Sequence, residues 1–130
     1  MKPTFDAVGI VVSDMAASLA FYRLLGLDFP PDADGEGHVE AVTTGGIRIM
    51  FDTEDVIRSF DPGWTPSSGR GRVGLAFRCD SPAAVDRVVQ AATDASYPVH
   101  LEPWDAFWGQ RYAVLVDPDG NHVDLFAGLE

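Results

Sequence analysis

Cysteine is almost absent from this chain of 130 residues, which contains only Cys79. A lone thiol excludes an internal disulfide framework and fits a reducing compartment. Its place at the end of a predicted strand suits a small apolar filler; a nucleophile would want a cation or a helix N-terminus beside the sulfur. Basic side chains are also scarce, 9 against 20 acidic ones, for a net charge of −11. That balance disfavours a nucleic-acid backbone or an anionic membrane surface as partner. A cationic or neutral small molecule is easier to reconcile with it. No stretch is long and apolar enough to span a bilayer, and Met1-Lys2-Pro3-Thr4-Phe5-Asp6 holds no apolar run of signal-peptide length. A cytoplasmic location is therefore expected. No Ser/His/Asp arrangement, phosphate loop or Cys/His cluster is present, so nucleophilic catalysis has no support.

What the chain does have is hydrophobic residues at 46% and aromatic residues at 11%, enough for a packed core. It is also written twice. Val8-Gly9-Ile10-Val11-Val12-Ser13-Asp14 returns later as Val73-Gly74-Leu75-Ala76-Phe77-Arg78-Cys79-Asp80, each followed by an amphipathic stretch. The ends of the two halves match as well, Gly45-Gly46-Ile47-Arg48-Ile49-Met50-Phe51 against Gly120-Asn121-His122-Val123-Asp124-Leu125-Phe126. Paired sheets that each curl round one face can enclose a cavity, and function then depends on what projects into it.

In the first half a strand is expected over residues 5–13, with Ser13 or Asp14 as N-cap. Met15, Ser18, Leu19, Tyr22 and Leu25 follow at helical spacing, and Gly26 suits the C′ position. Strands are expected at 38–44 and 47–52 around a Gly45-Gly46 hairpin, then a helical turn near 55–60. Residues 61–71 read as a linker between module one (1–60) and module two (72–130). In module two a strand at 72–79 precedes Ser81-Pro82, an N-cap with proline at N1. Val85, Val88, Val89 and Ala92 mark a helical face. A short strand near 99–102, an aromatic loop and strands at 111–116 and 122–127 complete the half, with Asp117-Pro118-Asp119-Gly120 as the turn.

Val-Gly-Ile-Val-Val-Ser-Asp with Phe21-Tyr22 and Leu25-Gly26-Leu27, and Trp108-Gly109-Gln110-Arg111-Tyr112 with Asp117-Pro118-Asp119-Gly120-Asn121, together resemble the vicinal oxygen chelate superfamily. That superfamily holds glyoxalase I, ring-cleaving dioxygenases, fosfomycin-modifying enzymes and bleomycin-binding resistance proteins. The resemblance implies one α+β domain over 1–130 with the glyoxalase/bleomycin-resistance/dioxygenase fold. Two βαβββ modules would form cupped mixed sheets, usually assembled as a homodimer. Metal-dependent members place one ligand on the first and one on the last strand of each module. Carried over, those positions are Ala7, Ile49, Arg72 and Asp124. Only Asp124 can coordinate, whereas functional sites use two or three protein ligands. No metal and no cofactor is expected, nor a metal-dependent glyoxalase or dioxygenase activity.

The candidate ligand-binding residues are Arg72, Asp124, Trp104, Trp108, Glu40 and Tyr112. Arg72 and Asp124 are expected to pair where a metal would otherwise sit, either neutralising the cavity floor or anchoring a ligand carboxylate or phenolate. Trp104-Asp105-Ala106-Phe107-Trp108 can wall a cleft that stacks on a planar or cationic molecule. His38 and Glu40 alternate and so share a strand face, which is a candidate base site if concave and solvated if convex. Tyr112 and Arg111 alternate, so one of them points inward. Three readings stay open: sequestration of a small planar or cationic ligand, a lyase, isomerase or dioxygenase-like enzyme of the same superfamily, and a domain that only dimerises.

Overall fold

The structure, a computed structural model, describes residues 2–67 and 71–130. The chain divides into two compact units between Pro66 and Ser67, inside the stretch expected as a linker.

The first unit runs β1 (Ala7–Val12), α1 (Met15–Leu24), β2 (His38–Val42), β3 (Arg48–Thr53) and α2 (Glu54–Phe60), with a 3-10 turn at Ala33–Gly35. Asp14 is the N-cap of α1, accepting from the Ala17 amide at 3.1 Å. β3 lies between β1, to which it is parallel, and β2, to which it is antiparallel. The hairpin turns at Gly46, whose φ of 89° is open to glycine at no steric cost. Val39, Ala41, Ile49 and Phe51 alternate into the core, and the Tyr22 ring of α1 lies 5.2 Å from that of Phe51. The helix therefore covers one face of this sheet. His38, Glu40, Arg48, Met50 and Asp52 occupy the other.

The second unit runs β4 (Leu75–Arg78), α3 (Pro82–Asp94), β5 (Val99–Ala106), β6 (Gln110–Val116) and β7 (His122–Gly128), in the sheet order β4-β7-β6-β5. Ser81 caps α3 through the Ala84 amide, with Pro82 at N1. Val85, Val89 and Ala92 of the helix are buried, as are Ala113, Leu115, Val123, Leu125 and Ala127 of the sheet. Burial of each Val- or Leu-sized side chain stabilises by about 1.5–3 kcal/mol. The Asp117–Asn121 turn is tied by Asp117, whose Oδ1 accepts from the Asp119 and Asn121 amides at 3.0 and 2.8 Å.

The sequence expectations need two corrections here. The aromatic segment is only partly loop, because β5 continues through Trp104 and Asp105 to Ala106. Register shifts between Val99 and Trp104 accommodate Pro103, which an edge strand tolerates because its missing amide has no ladder partner to lose. The first strand of module two starts at Leu75, so Arg72 precedes β4 and is exposed. Among the described residues no helix is long and apolar enough to cross a membrane.

Candidate functional site

On the face of the second sheet turned away from α3, three rings meet. Alternation along β6 sends Arg111 to the helix side, where it bonds Asp86 of α3 at 3.0 Å and Asp105 at 3.1 Å. Tyr112 points the opposite way, paired across the ladder with Trp104. The Tyr112 ring lies 5.5 Å from Trp104 and 5.3 Å from Trp108, and the two indoles lie 5.9 Å apart. All three contacts are edge-to-face, the arrangement the ring quadrupoles favour. Trp108 stands at the hairpin tip, where its Nε1 donates to Gln110 Oε1 at 2.8 Å. Its relative exposure is 48%, and that of Phe107 beside it is 96%, so the wall has an open apolar end.

The Tyr112 hydroxyl donates to the Asp124 carboxylate. Burial first, and this carboxylate second, push the phenol up to about 12. Asp124 in turn lines a hollow of about 220 Å³ with Gly71, Arg72, Gly74, Asn121 and His122. The His122 ring leans on that of His100, centroids 4.4 Å apart. The expected ion pair between Arg72 and Asp124 does not form. The two line one hollow, but Asp124 pairs with Ala76 in the parallel register, so Arg72 lies four residues, about 13 Å of strand, before its partner position. Tyr112 takes the carboxylate instead.

Glu40 belongs to the first unit, in a lattice of charges across its exposed sheet face. His38 Nδ1 lies 2.5 Å from Asp52 Oδ1, and its Nε2 lies 2.7 Å from Glu40 Oε2. Arg48 donates to the other Glu40 oxygen at 2.6 Å and to Asp6. A carboxylate only accepts, so each ring nitrogen of His38 must carry a proton to bond both neighbours. Its bonds to Glu40 and then Asp52 hold the imidazolium above its ordinary value, and His38 and then Arg48 hold Glu40 below its own. Glu40 is therefore a weaker base than a free carboxylate, with both oxygens occupied. Asp52 and Asp6 are charge partners in this lattice that sequence reasoning missed. Asp52 sits opposite His38 only once the β2–β3 register is known.

The residues present do not suit the superfamily metal. Ile49 is buried on the helix side of β3, whereas Asp124 lies on the open side of β7 between buried Val123 and Leu125. Arg48, Met50 and Asp52 share Asp124's side in the first unit, so Ile49 and Asp124 are not equivalent; the carboxylate in the matching register is Asp52, which is already bonded to His38. In the lattice the His38 ring stands between Asp52 and Glu40, keeping their oxygens on opposite edges of the imidazole. Among the described residues no three His, Cys, Asp or Glu side chains could hold an ion together. Cys79 offers no nucleophile either, since burial and Asp80 push its thiol up.

A family model described as the glyoxalase/bleomycin resistance protein/dioxygenase superfamily matches residues 4–125. The chain belongs to that superfamily. An uncharacterized protein of Mycobacterium bovis is 29% identical over 121 residues, 89% of this chain and 78% of its own length. Among solved structures, a glyoxalase/bleomycin resistance protein/dioxygenase family enzyme from Burkholderia phytofirmans superposes with a TM-score of 0.83. The two are 24% identical over 98% of this chain and 100% of that one. A lactoylglutathione lyase from Agrobacterium tumefaciens gives a TM-score of 0.68 at 21% identity, covering 98% of this chain and 96% of its own. At these identities the structural likenesses establish the fold and leave activity to the site.

Proposed function

We propose that this superfamily member binds a small planar organic molecule on the second unit, without a resident metal, and that sequestration is its activity. The observation that carries the reading is the trio Trp104, Trp108 and Tyr112. Three mutually perpendicular rings on a rigid sheet, one half-open to solvent, make a preformed stacking wall. The bond from Tyr112 to Asp124 gives the wall a fixed polar edge, which orients a ligand and costs little reorganisation on binding.

Tryptophan fluorescence tests this directly. A panel of planar heteroaromatic drugs and metabolites should include compounds that quench saturably, and Trp108→Ala should weaken their binding by about tenfold or more. The compound should be recovered unchanged. Quenching that survives both Trp108→Ala and Trp104→Ala would place the ligand elsewhere and end the proposal.

The half-buried Asp124 beside Tyr112 favours a second reading, a metal-independent isomerase or lyase in which Asp124 takes a proton from the bound molecule. Chemical change in the recovered compound, lost in Asp124→Asn while binding persists, is its signature.

A further inference from the structure

We propose that the ligand of the second unit is a planar acid, with a ring for the aromatic wall and a carboxylate or phenolate for Arg72. This rests on the stacking-wall reading and adds the sign and place of the ligand's charge. The chain as a whole is strongly negative, at −11, yet within the hollow the Arg72 charge balances that of Asp124. Each carboxylate at the wall already has a partner: Asp124 accepts from Tyr112, and Asp105 is held by Arg111 on the helix side of the sheet. Neither is free to attract a cation. Arg72 differs from the other site cations. Among the described residues no ion pair or hydrogen bond joins it to a carboxylate, and it opens onto the hollow that also contains His122, Asn121 and Asp124.

Arg72 is permanently charged, and its planar fork matches a carboxylate in bidentate fashion. Asp124 links the two halves of the site, since it lines the hollow and holds the hydroxyl of the ring that touches both indoles. A ring laid on Tyr112, the wall residue bonded to Asp124, would turn its acidic substituent toward the hollow. The bound carboxylate is kept from repelling Asp124 by the proton that Tyr112 donates and by the Arg72 charge. The hollow, about 220 Å³, has room for an acidic group and a hydration water.

The test uses three probes of one shape: quinoline-2-carboxylate, its neutral carboxamide and the quinolin-2-ylmethylammonium cation. Calorimetry on the full chain measures each against the unaltered protein, Arg72→Gln and Trp108→Ala. The carboxylate should bind about tenfold more tightly than the amide, with the cation weakest. Arg72→Gln should erase that preference to within about twofold, and Trp108→Ala should weaken carboxylate and amide alike. Equal binding of carboxylate and amide, or tighter binding of the cation, overturns the planar-acid assignment. If Trp108→Ala still weakens binding in that case, the stacking wall survives. Binding of all three probes that ignores Trp108→Ala, or no binding by any at millimolar concentration, overturns both.

Discussion

The two units share a topology and differ in what they present on the sheet face opposite the helix. In each, a first strand runs parallel to the last one, a helix crosses over, and every second residue of the last strand is buried beneath it. On the first unit the other face is closed chemically: His38, Glu40, Asp52, Arg48 and Asp6 satisfy one another. On the second it carries aromatic rings and an Asp124 held by a phenol, beside a hollow whose arginine is joined to no carboxylate among the described residues. A repeated fold has thus produced one surface whose charges are mutually matched and one whose charge and stacking capacity remain available. The proposed recognition uses the second kind, because a charge already paired would have to be separated before it could bind anything else.

The comparison can be broken first at the level of packing, where the two units should be alike. Phe51→Ala removes a fully buried ring from the first core and should cost about 3–5 kcal/mol, and Leu125→Ala in the second about 2–5 kcal/mol, read from denaturant unfolding. A negligible cost at either position would show that its helix does not seat on that sheet.

Next comes the phenol. Tyr112 should ionise near 12, seen as tyrosinate absorbance on raising pH. Its folded pKa lies above the ordinary value of about 10, so its contribution to stability is complete below that value and fades as pH rises toward 12. Asp124→Asn should bring the ionisation part of the way back, burial alone remaining. No change on Asp124→Asn would mean that the carboxylate does not hold the hydroxyl.

The smallest effect is expected on the charged lattice. His38 is held above its ordinary value of 6.5, so its stabilisation is present below that pH and lost as pH rises through the higher folded value. Because the group is largely solvated, the change in melting temperature should be slight. Proton NMR should nonetheless show the His38 ring titrating above 6.5, and Asp52→Asn should lower that midpoint. A His38 midpoint below 6.5 would mean that the lattice is not formed.

Much of the fold was legible because the signals are local. Asp14 and Ser81 announce their helices through side-chain caps, and the duplicated Val-Gly strands set the two-unit plan. The misreadings share one cause, the period of two along a strand, for which an error of one residue reverses the face. Matching Ile49 with Asp124 is such an error, and only the burial pattern and strand register reveal that Asp52 is the residue in the corresponding place. Leu101-Glu102-Pro103 interrupted the alternation, so the part of β5 that carries Trp104 read as loop. Two rings of the aromatic trio, Trp104 and Trp108, lie in the aromatic segment, whereas Phe107 of that segment is exposed and the third ring is Tyr112 of β6. The partner of Asp124 was not legible, since Tyr112 reaches it diagonally across two strands and Arg72 falls short of it in register.

The claim that one face is closed and the other open is tested most directly by an NMR titration of the full chain with quinoline-2-carboxylate. The account predicts saturable shifts of the Trp104 and Trp108 indole and Tyr112 backbone signals, together with Arg72, while the His38 and Glu40 signals stay in place. Shifts centred on His38, Glu40 and Arg48, with the indoles unmoved, would contradict it.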